Sequence, residues 1–134
     1  MRLRIPLTLL LLTFVVPAAP AGSGDTPPPR ILEVPDPARC KADTPPIRIS
    51  GRPPAMPKDA KKALKRTEVS LEVLVRGDGA VKVLRVLQAP DPDFGLRDMS
   101  VQSVSAWVYR PALRSGQPVD CTMTIKLPFP PPPL

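Results

Sequence analysis

The chain has 134 residues, 22 of them Pro and none His, and its excess of Lys and Arg over Asp and Glu leaves a formal charge of +7. Without His there is no Ser-His or Cys-His base for nucleophilic catalysis, and zinc would lack its commonest nitrogen ligand. The length suits one small domain with tails rather than two domains.

Residues 1–21 read as a secretory signal. Arg2 and Arg4 form a basic start, Ile5 to Val16 an apolar run, and Ala19-Pro20-Ala21 a small-x-small cleavage site. The apolar run is about 12 residues long, whereas a bilayer crossing takes about 20, so no stable transmembrane anchor is expected. The mature chain then begins at Gly22 and resides in the periplasm or is secreted. In that oxidising setting Cys40 and Cys121 are expected to pair, closing a long loop and adding about 4 kcal/mol in the chain-entropy account. The alternative is two separate small buried hydrophobes.

Residues 22–57 are rich in Pro ("TPPPR", "VPDPAR", "TPPIR", "GRPPAMP"). Such a stretch holds neither a helix nor a central strand and is expected to be extended, with "IRIS" (47–50) as a short edge strand. A short helix is expected over 58–66, "KDAKKALKR", behind Pro57. Its basic residues Lys58, Lys61, Lys62, Lys65 and Arg66 lack interleaved aromatics, so they read as a solvated face and not as a nucleic-acid site. In "EVSLEVLVR" (68–76) Val69, Leu71, Val73 and Val75 alternate with more polar residues, the strand period.

Asp78-Gly79 then marks a hairpin, because the turn needs positive φ. The return strand, 80–89, changes phase: Val81 and Val83 share one face, Leu84 and Val86 the other. Either both faces are covered or a bulge intervenes. Pro90 and Pro92 end it, and Asp93 is a candidate helix cap. Leu96, Met99, Ser103 and Trp107 mark a helix over about 96–108, which Pro111 stops by about Tyr109. After "RSGQP" (114–118), Val119, Cys121, Met123, Ile125 and Leu127 alternate with Asp120, Thr122, Thr124 and Lys126. The tail "PFPPPPL" is polyproline again.

The order is helix, strand, strand, helix, strand: a small α+β domain over 58–129, with a three-stranded antiparallel sheet and both helices on one face. Residues 22–57 form an extended segment before it and 130–134 a polyproline tail. Asp91 and Asp93, between prolines, read as turn and cap residues and not as metal ligands; no metal site and no cofactor are expected.

From Pro53 to Phe129 the chain resembles the C-terminal domain of TonB, the energy transducer of Gram-negative envelopes. The matching pieces are "PPAMPKDAKKAL" and the "DG-x-V" of Asp78, Gly79 and Val81. "VLRVLQAPD" (83–91) follows, then "W-x-aromatic-x-P-A" at Trp107, Tyr109, Pro111 and Ala112, a "G-x-P-V" turn at Gly116, Pro118 and Val119, and a final strand closing on Phe129. The resemblance implies no enzyme. Trp107 is expected to bury its indole under the sheet, with Tyr109 across the helix end and Pro111 turning the chain. The chain departs from a transducer in its cleavable apolar segment and in a rod of residues 22–57, whose reach is roughly 110 Å when fully extended. The resemblance therefore carries the fold and leaves open both energy transduction and a link to TonB-type transport across the outer membrane.

A last strand at a sheet edge leaves backbone groups free to take an extended peptide as a further strand. The resemblance implies this role for Val119 to Leu127, with Thr122, Thr124 and Lys126 on the open face. The partner would be a segment of an envelope protein such as an outer-membrane transporter. A different outcome is an edge protected by Lys126 and the following prolines, or by a second copy in a homodimer. Docking on a free edge requires that this strand not be enclosed between two others. The rival reading is a passive, disulfide-held envelope or secreted domain.

Overall fold

The computed structural model describes Val15, residues 30–64 and residues 66–130. The signal segment 1–21, apart from Val15, and the tail beyond Pro130 lie outside the described residues.

Two nine-residue strands form the centre, β3 (Thr67–Val75) and β8 (Cys121–Phe129), paired antiparallel along their whole length from Thr67 opposite Phe129 to Val75 opposite Cys121. Their inward residues Val69, Leu71, Val73, Val75, Cys121, Met123, Ile125, Leu127 and Phe129 are all buried. Each such aliphatic side chain contributes about 1.5–3 kcal/mol relative to exposure. This alternation is the one read from sequence, with the strand shifted two residues later: Val119 ends β7 (Gln117–Val119), and Asp120 lies between β7 and β8.

β3 runs through the Asp78-Gly79 turn into β4 (Val81–Gln88). The change of phase in β4 is a pair of register shifts that leave Leu84 and Leu87 without a partner on β3, exposed at 42% and 45%. The bulge alternative is the one realised.

Helix α1 is Lys58–Ala63 and inserts Ala60 into the core. Helix α2 is Leu96–Ser105, packed through Leu96, Ser100 and Val104. Its N-cap is Gly95, at φ +83, and not Asp93; yet the Asp93 carboxylate accepts the N–H groups of Gly95 and Arg97 at 3.4 and 3.3 Å. The expected extension to residue 108 does not occur. Ala106 and Trp107 donate to the carbonyls of Ser103 and Val104, tightening the last turn, and Val108–Arg110 leaves as strand β5. Extended backbone suits the β-branched and aromatic pair Val108-Tyr109, and here it finds partners outside the helix. β6 (Ala112–Arg114) and β7 then form a small hairpin around Ser115 and Gly116, both at positive φ.

The Pro-rich segment differs most from expectation. Its residues 30–57 do not form a separate spacer: they run along the domain and pair with three of its ribbons. β1 (Leu32–Pro35) pairs with β8, Thr44 bridges Leu113, and β2 (Ile47–Ser50) pairs with β5. The main sheet is therefore four-stranded, in the order β1-β8-β3-β4, and antiparallel throughout. Cys40 is bonded to Cys121, 81 residues on, with Cα atoms 4.4 Å apart. This bond pins the segment midway to the first residue of β8.

Candidate functional site

The outer side of β8 is where a further strand was expected to add, and it is already paired. Leu32, Glu33, Val34 and Pro35 stand opposite Lys126, Ile125, Thr124 and Met123, and the Asp36 N–H donates to the Thr122 carbonyl at 2.9 Å. The expectation of a free edge along Val119 to Leu127 is thus corrected: from Thr122 to Lys126 the strand is enclosed by β1 and β3. The reason lies outside the three strands legible as such, in a four-residue piece of the Pro-rich segment that the disulfide holds alongside.

The pairing follows the two-residue alternation of an antiparallel ladder. Since the Asp36 N–H faces β8, the N–H groups of Val34 and Leu32 do too, while position 35 faces away. Pro35, which has no N–H, therefore occupies a place where none is needed, as Pro does on edge strands. On β8 the same parity turns the backbone groups of Thr122, Thr124 and Lys126 toward β1, and those of Cys121, Met123, Ile125 and Leu127 toward β3.

The side chains of β1 are inverted relative to the rest of the sheet. Leu32 and Val34 are exposed at 49% and 52%, while Glu33, opposite the buried Ile125, points to the core side. There its carboxylate accepts the Tyr109 hydroxyl and lies 3.6 Å from Arg48 Nε. Burial, reinforced by the Glu33 hydrogen bond, pushes the Tyr109 hydroxyl above its ordinary range. Arg48 stacks on Trp107, with its guanidinium carbon 4.5 Å from the ring centroid, while its Nη1 is buried with no partner.

Trp107 and Tyr109 are both 2% exposed, and the indole N–H donates to the Arg52 carbonyl at 2.9 Å. Gly51 lies so close over the indole that a Cβ there would be 2.3 Å from Trp107 Cδ1. Tyr109 lies in β5 and not across the helix end: its N–H donates to the Gly79 carbonyl, and a Cβ on Gly79 would be 2.2 Å from its carbonyl oxygen. The hairpin glycine and the aromatic motif, distant in sequence, are thus one contact. Asp78 closes its turn by accepting the Ala80 N–H at 3.0 Å, and Asp120 accepts the Gly77 N–H at 2.8 Å. That last role, at the base of β8, was not legible from alternation. Pro111 separates β5 from β6.

On the opposite face of the sheet Glu72 is nearly buried between two cations, Arg39 at 2.9 Å from the loop after β1 and Arg85 at 2.9 Å from β4. These hydrogen bonds, Arg39 first, hold its carboxyl at about 2. Among the described residues no cluster of ligating side chains could hold a metal ion, and no helix is long and apolar enough to cross a membrane.

Residues 52–131 match the family described as Gram-negative bacterial TonB protein C-terminal. That span is more than half the chain, and the chain belongs to this family. The solution NMR structure of the Pseudomonas aeruginosa TonB C-terminal domain is similar over 65% of this chain and 87% of that one, at 21% identity and a TM-score of 0.45. No curated protein matches the chain. The family segment includes β3 to β8, whereas β1, Cys40 and β2 precede it.

Proposed function

We propose that the chain is an exported TonB-like adaptor of the cell envelope that takes an extended peptide from an envelope protein, such as an outer-membrane transporter, as a strand on the outer side of β8. One observation carries this reading: β8 accepts a short extended segment there, in unbroken register, through backbone groups, with an inward carboxylate and an inward proline. That segment lies outside the family domain and leaves Leu32 and Val34 half exposed, with Ile31 and Pro35 only partly buried, which supports reading it as a resident that a better-matched strand replaces. Family membership supports an interaction role over catalysis, and the signal segment supports the periplasm or the exterior as its place. A proline at position 34 would remove an N–H that faces β8; in such a full-length variant, added transporter segments should shift the amides of Thr122 to Leu127. Unmoved amides across a range of segments would count against the reading.

A second reading is favoured by the same pairing: a passive envelope domain whose last strand is permanently covered and whose disulfide makes the cover irreversible. It predicts no specific partner in a cross-linking pull-down from envelope extract.

A further inference from the structure

If β8 is a docking strand, something must set the register of what docks, because a slip of one residue would turn every side chain of the incoming strand to the opposite face. β1 shows what does so. Its two aliphatic side chains stand half in solvent, and of its two inward side chains, Glu33 and Pro35, one is an acid. A strand that belonged to the core would show the reverse pattern. Glu33 is held by the Tyr109 hydroxyl and faces the Arg48 guanidinium. Both donors come from the β2–β5 ribbon, in which Arg48 and Tyr109 are register partners. Trp107 stacks on the guanidinium, and the Gly79 contact fixes the Tyr109 backbone. The socket therefore stands on rigid elements. It also has capacity to spare, since Arg48 Nη1 is buried beside it without a partner.

We infer that Tyr109 and Arg48 form a carboxylate socket beside β8, filled in cis by Glu33, and that the strand which displaces β1 is an extended peptide with an acidic residue, flanked by apolar ones, at the position opposite Ile125. This rests on the reading of β8 as a docking strand and adds the chemistry of the partner to it. The socket accepts a carboxylate because both of its groups donate; an amide offers one acceptor and no charge, and a Lys or Arg at that position meets Arg48 head on. The disulfide sets how hard β1 is to displace. Cys40 lies five residues beyond Pro35, so the resident strand is tethered more closely, and at a higher effective concentration, while Cys40–Cys121 is intact than when it is reduced and the Thr44–Leu113 and β2–β5 pairings are the nearest anchors.

The test uses the full chain with Val34→Pro, which loosens the resident strand, and as probe a synthetic, fluorescently labelled peptide copying residues 30–36 of this chain. The expected result is saturable binding that shifts the amides of Thr122, Thr124 and Lys126. The same peptide carrying Glu33→Gln should bind about tenfold more weakly, and Arg48→Gln in the protein should remove most of that difference. Glu33→Gln in the otherwise natural chain is the milder second host, should the proline variant not fold. A folded host that binds neither peptide overturns the docking reading itself. Equal binding of the Glu and Gln peptides overturns the socket and leaves docking standing.

Discussion

The two flanks of the central β3–β8 pair are guarded in different ways. On one side β4 carries two register shifts, so Leu84 and Leu87 interrupt its ladder and Lys82 and Arg85 stand along it. A strand so kinked and charged presents a poor template to another chain. On the other side β8 is straight and unbroken, a good template, and it is covered by four residues ending in a proline that has no N–H to offer outward. The first edge is spoiled by its own sequence; the second is kept intact and covered. A strand retained in pairing condition beneath a short, half-exposed cover is the arrangement that the proposed exchange of partners requires.

Breaking the cover at its tether should have the largest effect. Reduction of Cys40–Cys121 removes about 4 kcal/mol of chain-entropy stabilisation for a loop of 81 residues. Urea unfolding with and without reductant should show a lower midpoint on reduction, and peptide binding should tighten in parallel. Next comes Val34→Pro, which removes one ladder hydrogen bond and should cost about 1 kcal/mol, whereas a proline at position 35 is already tolerated because that position faces away.

A smaller effect concerns the link across the sheet. Glu72 joins Arg39, at the tether, to Arg85, on β4, and its carboxyl is held below its ordinary value, at about 2. Because the folded value is the lower one, this stabilisation is present in full above the ordinary carboxylate range, near 4.5, and disappears as pH falls from there to about 2. Acid titration followed by circular dichroism should show Glu72→Gln losing less stability than the natural chain across that window. Smallest of all is Pro35→Val, which restores an outward N–H to the covering strand. Folding should be unaffected, and sedimentation should show a modest rise in self-association, since the edge would then be open to a second copy.

What the sequence revealed of this follows from what holds each part. β3 and β8 were legible because period-two alternation is the physical cause of their burial. The change of phase in β4 signalled a bulge before its position could be known. The end of α2 was misplaced because Trp107 falls four residues after Ser103, so helical spacing and the strand pairing of Val108 and Tyr109 overlap on the same side chains. β1 gave no periodic signal at all. Its inward residues are an acid and a proline, its outward ones are aliphatic, and it lies between prolines; its place is fixed by backbone pairing, by Arg48 and the distant Tyr109, and by a disulfide whose pairing was expected but whose consequence for the edge of β8 was not. A strand held by partners supplied from elsewhere in the chain carries little of its own pattern.

Hydrogen exchange at the amides of Thr122, Thr124 and Lys126 bears most directly on the claim that β8 is an edge under a removable cover. In the oxidised chain Thr124 and Lys126 should be protected, but less than the amides of Met123 and Ile125, which face β3, while Thr122, opposite an Asp36 carbonyl already taken by the Arg39 and Cys40 N–H groups, should be the least protected; in Val34→Pro Thr124 and Lys126 should lose protection while Met123 and Ile125 keep theirs, and the peptide copying residues 30–36 should restore it. Equal protection of both sets, unchanged by the proline, would mean that β1 is a permanent part of the sheet and that β8 has no edge to offer.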